Sequence, residues 1–129
     1  MVVAAPRRAR AAPLAVAALA MAAGATLYVR DPRTSTYLPC PFHALTGLWC
    51  PGCGATRAFG DLVRGDLGSA ASSNVLAVVL LGVGVIAWVL WVRGRRLRAP
   101  SRWIVVSGAV VVLAFTVLRN FPAGSWLAP

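Results

Sequence analysis

The chain has 129 residues, 59% of them hydrophobic and only 12% charged, with a mean hydropathy of +0.74. A soluble domain carries about twice that share of charge, and a disordered chain has far less apolar surface, so both classes are excluded. The net charge of +10 comes from 13 basic residues, all arginine, against Asp31, Asp61 and Asp66; because these arginines crowd the ends of apolar runs, the expected partner is a lipid bilayer, with no nucleic acid.

Arg7, Arg8 and Arg10 precede the first apolar run, Ala11–Val29, whose 19 residues carry no charge. Nineteen residues rise about 28 Å as a helix, close to the thickness of a hydrocarbon core. Pro13 lies near the start of the run, where a missing N–H costs little. Ala11, Ala15, Ala18, Ala22 and Ala25 form a small-residue strip suited to close packing in a homo- or hetero-oligomer. A cleaved signal peptide is the rival reading, with Ala23-Gly24-Ala25 resembling a cleavage site.

Residues 30–73 form a loop that holds all three cysteines, the one histidine and all three aspartates. Its first half is rich in turn residues (Pro39, Pro41, Gly47, Pro51, Gly52, Gly54), leaving no room for a long element. Cys40, His43, Cys50 and Cys53 read as C-x2-H-x6-C-x2-C, two short knuckles able to close a zinc site. Oxidation to a disulfide is the alternative, and with an odd count it can form only one bridge. The Cys-x-x-Cys pair before a helix start also fits a thiol–disulfide factor, and the helix amides favour the Cys53 thiolate.

From Ala55 the period turns helical. Ala55, Ala58, Phe59, Leu62 and Val63 share one face, and Arg57, Asp61 and Arg64 the other, which predicts a short amphipathic helix in the interface. Arg57 either stands beside Cys53 or pairs with Asp61 one turn on. Gly65 breaks the helix, and Asp66 caps another through Ala71.

Asn74 is placed to cap the second run, Val75–Val92, which ends with Trp88, Trp91 and Arg93 at an interface. The third run, Trp103–Leu118, lies between Arg102 and the pair Arg119-Asn120. The tail from Phe121 reads as an interfacial cap. These runs predict an all-α membrane protein forming a single domain over residues 1–129. It has three transmembrane helices at 11–29, 75–92 and 103–118, with the cysteine loop and the short amphipathic helix between the first two. Arginine is densest before the first run and between the second and third, so those segments are expected in the cytoplasm and residues 30–73 outside. The absence of lysine, glutamate and glutamine reads as the codon bias of a high-GC bacterium, making the address a bacterial plasma membrane.

Cys40-Pro41, Thr46-Gly47, Cys50-Pro51-Gly52-Cys53-Gly54, Thr56-Arg57-Ala58, Gly65-Asp66, Ala70 and Asn74 together resemble the family called domain of unknown function 2752. The resemblance covers residue 40 to about 92. It implies a multi-spanning bacterial membrane protein and brings no established activity, substrate or cofactor. His43 is not among the residues that carry it. No Ser/His/Asp set, carboxylate pair or phosphate-binding glycine loop points to a hydrolase or nucleotide enzyme, and the spans lack the ionisable residues of a transport path.

Overall fold

A computed structural model describes residues 7–34, 37, 39–95 and 99–128, among which there are helices and no strands. The elements are α1 (Arg7–Val29), α2 (Pro41–Thr46), α3 (Ala55–Val63), α4 (Leu67–Val92), α5 (Arg102–Leu118) and a final 3-10 turn (Pro122–Leu127). Helix α1 starts earlier than its apolar run, so Pro13 lies inside it rather than in the first turn. The Pro13 carbonyl accepts the indole N–H of Trp88 at 3.0 Å, tying the far end of α4 to the near end of α1.

Two helices, α1 from Ala11 and α4, are long and apolar enough to cross a membrane, and α5 is a shorter apolar helix. Their sides are largely uncovered: Leu19, Met21, Val83, Ile86, Ile104 and Val110 are all exposed apolar residues. The buried apolar core is confined to small side chains, Cys53, Ala58, Ala70 and Ala77. So much apolar surface around so small a core is what a bilayer, and not water, would cover.

Helix α4 is two helices joined at Asn74, whose backbone (φ −166°, ψ 93°) leaves the helical region. Both expected caps are present: the Asp66 carboxylate accepts from Ser69 N–H, and the Asn74 Oδ1 from Ala77 N–H, each at 2.9 Å. The expected break at Gly65 is also there, with φ +82°.

Helix α3 turns only part of its polar face to solvent: Arg57 and Arg64 are exposed, and Asp61 is buried. The helix packs between α1 and α4. Asp61 pairs with Arg33, Nη2–Oδ2 2.7 Å and Nε–Oδ1 3.1 Å, and also accepts from the Ser73 hydroxyl. The expected Arg57–Asp61 pair is therefore replaced by one from the preceding loop, and Arg57 is exposed. Arg64 turns back to the last turn of α1, donating to Leu27 and Tyr28 carbonyls at 3.0 and 2.9 Å. It thereby satisfies carbonyls that a helix end leaves without partners.

Candidate metal centre

The three cysteines come from two turns brought together. Cys40 stands at the N-cap of α2, and Cys50 and Cys53 bracket the Pro51-Gly52 turn that leads into α3. Cys53 N–H donates to Cys50 O at 3.1 Å, closing that turn, and Gly54 follows with φ +84°. A side chain at Gly54 would meet the left-handed penalty of about 1–2 kcal/mol, so glycine is required for the chain to leave the turn and enter α3.

The Sγ atoms of Cys40 and Cys50 are 3.3 Å apart, and those of Cys50 and Cys53 are 2.9 Å apart. All three lie within 4.8 Å of one another. None is at the roughly 2.05 Å of a disulfide, and all three are free thiols. Three convergent sulfurs are a donor set for a thiophilic cation.

The cysteine that ionises more readily is not the one that the helix start suggested. Cys40 is lowered to about 7, first by the nearby backbone N–H of His43, which stabilises its charge without closing a capping hydrogen bond, and then by the Cys50 thiol. Cys53 is pushed the other way, to about 12, because burial penalises its charged form and the adjacent Cys50 thiol adds to the effect. Its place before α3 does not overcome that burial.

His43 is not brought into the cluster. Its ring stacks on Trp49 at a centroid distance of 3.9 Å, and its Nδ1 is 3.1 Å from Leu48 O. Asp66 is likewise occupied elsewhere, as the cap of α4; that bond from Ser69 holds its carboxyl below the ordinary value. Asp31 accepts from Arg33 N–H and lies 3.8 Å from Arg64. The protein donors that converge are therefore the three sulfurs alone.

The cluster's backbone is gripped from two helix ends. The Asn74 Nδ2 donates to Pro51 O at 2.9 Å and Cys53 O at 3.0 Å, while its Oδ1 caps α4. Arg119, just past α5, donates from Nη1 to Cys50 O at 2.8 Å and from Nη2 to Cys53 O at 3.2 Å. Asn120 pairs with Trp49 as a second strand would, accepting from its N–H at 2.8 Å and donating to its carbonyl at 2.9 Å.

Arg119 is only 2% exposed and lies over the Phe115 ring. Desolvation pulls its guanidinium below the ordinary value, and negative charge on Cys53 and Cys50 opposes that pull. Behind it, Gly124 permits the final turn to fold back, since a Cβ there would collide with the Leu118 carbonyl. The grip by Arg119 and Asn120 was not legible in the sequence, where an Arg-Asn pair after an apolar run reads as an interfacial anchor.

Residues 40–88 match the model of a protein family of unknown function, DUF2752, the family that the cysteine motif resembles. The match contains the three cysteines, α3 and most of α4, and leaves Arg119 and Asn120 outside it. No curated protein and no solved structure matches the chain.

Proposed function

We propose that this chain is a three-span integral membrane protein whose cysteines hold a metal ion as a structural clamp on the loop between the first two spans. The observation that carries this reading is the convergence of three free Sγ atoms within 4.8 Å. Zinc fits best among common ions, because thiolate-rich donor sets of short spacing suit its tetrahedral, redox-inert chemistry. What supports three spans is that the C-terminal ends of α1 and α5 and the Asn74 kink of α4 all contact the segment from Trp49 to Arg64, the alternation that antiparallel spans would need. The positive-inside rule then sets the N-terminus and residues 93–102 in the cytoplasm, and the cysteines on the outer side of a bacterial plasma membrane. The Ala11–Ala25 strip is exposed and offers the face for a second copy.

Elemental analysis of the detergent-purified chain, beside a thiol count under denaturation, tests the clamp. One zinc per chain with three titratable thiols is the expected result. No metal and one thiol would instead mark a disulfide. The 2.9 Å approach of Cys50 and Cys53 Sγ supports the second reading, dithiol–disulfide exchange with an external thiol partner. No metal, three thiols and undiminished folding of Cys50→Ser would remove the clamp and leave that exchange standing.

A further inference from the structure

Among the described residues, the buried guanidinium of Arg119 has no carboxylate partner. Asp61 is paired with Arg33, Asp31 lies beside Arg64, and Asp66 caps α4; no other acidic side chain exists. Two backbone carbonyls take its Nη atoms, while Nε is buried with no acceptor. A buried cation without a counter-charge is costly, so the native site should contain an anion that the side-chain carboxylates do not supply. The two carbonyls that hold Arg119 belong to Cys50 and Cys53, which places the charge at the cysteine turn.

Resting on the metal reading above, we infer that the centre is a divalent metal tris-thiolate, a monoanion neutralised by Arg119, with its fourth coordination position filled by water rather than by a side chain. The charges close on this stoichiometry. Three thiols release three protons to solvent on binding one divalent cation, leaving a complex of charge −1 opposite one guanidinium. A monovalent soft ion with three thiolates would leave one negative charge over. The fourth position is open because no other side-chain donor joins the cluster: His43 is stacked on Trp49 with Nδ1 at Leu48 O, and no aspartate comes near enough. The three sulfurs still clamp the loop, and the exchangeable fourth position of such a tetrahedral site admits an external ligand. The ligand class is a small neutral nitrogen or oxygen donor. Arg119 acts as a positioning residue, stabilising the complex without touching the metal.

Cobalt(II), added to the full chain in detergent, serves as a spectroscopic stand-in. One ion per chain is expected, and imidazole should shift its visible bands with one-to-one saturation, identically in wild type and His43→Ala. Arg119→Gln should weaken cobalt and zinc binding by about 10- to 100-fold, the range typical for partners that support metal ligands. Arg119→Lys, which keeps the charge, should lose less and guards against a folding defect in the glutamine variant. Unchanged affinity in Arg119→Gln, equal loss in Arg119→Lys, bands blind to imidazole, or a site changed by His43→Ala each overturns the inference while metal binding survives. Wild-type chain that takes up neither ion overturns the metal reading itself, and this inference with it.

Discussion

Substituting Asn74 separates two jobs that one side chain performs. Its Oδ1 caps the apolar second half of α4 through Ala77 N–H, and its Nδ2 holds Pro51 O and Cys53 O. Serine keeps a capping oxygen and loses both donated bonds. Cys53 O still receives Arg119 Nη2, so Pro51 O is the carbonyl left without its partner. A fully buried acceptor left orphaned costs about 1–3 kcal/mol and a shared bond adds about 0.5 kcal/mol; Pro51 O is part-buried, so Asn74→Ser should destabilise the chain by about 2 kcal/mol, from the lower half of that range. Alanine also removes the cap, about 1 kcal/mol more, for a total near 3 kcal/mol. Asn74→Asp keeps the acceptor but points a carboxylate at two carbonyls, and should be worse than serine. Denaturant unfolding in detergent micelles, followed by tryptophan fluorescence, resolves differences of this size. Serine equal to wild type would show that the loop is not held from α4; serine equal to alanine would show that the cap contributes nothing.

Asp61→Asn should cost about 1–2 kcal/mol in the same unfolding assay; charge-assisted bonds are worth about 1.5–3 kcal/mol, and the figure is reduced because Arg33 is 46% exposed. A loss below a few tenths would mean that Arg33 and Ser73 do not hold α3. In metal-free protein, iodoacetamide labelling of Cys40 should rise with pH through about 7 and then level off, because the thiolate reacts and its proton is lost at that pH; Cys53, pushed to about 12, should lag throughout. Peptide mass mapping reads both, and a Cys40 midpoint at the ordinary thiol value would contradict the His43 effect. An impermeant maleimide applied to intact cells, after mild reduction and chelation, should label the cysteines without lysis. Labelling that requires lysis even under denaturing chelation would reverse the orientation.

What could be read ahead of the structure divides by the separation of the interacting groups. Asp66 and Asn74 were legible as caps because each accepts from an N–H three residues on, and such pairs leave a local signature. The break at Gly65 and the helix from Ala55 followed from the same short-range pattern. Asp61 and Arg33 are 28 residues apart, and Arg119 lies 69 residues from the Cys50 carbonyl that it holds. Nothing in either neighbourhood announces the other. Arg57, one turn from Asp61, fitted the local rule and lost to the distant arginine. His43 had suitable spacing for a ligand, but spacing carries no information about a ring that finds a better surface on Trp49.

The polar grip explains how a chain with so small a core can hold a loop in place. Cys53, Ala58, Ala70 and Ala77 bury little apolar area, and hydrophobic stabilisation scales with that area. In a bilayer the apolar helix faces would add little, because lipid is as apolar as the faces that they would bury against one another. Order at the cysteine end must therefore come from directed bonds. Asn74, Arg119 and Asn120 supply them, all aimed at backbone carbonyls and an amide between Trp49 and Cys53. Away from water such bonds are worth more, but each also fixes the position of a helix end. If a metal joins Cys40 to that same turn, as proposed, its removal would free α2 first, then leave Arg119 without its counter-charge, and so loosen α5. On the proposed metal centre, metal occupancy and docking of the third apolar helix would form one equilibrium, linked through a single buried guanidinium.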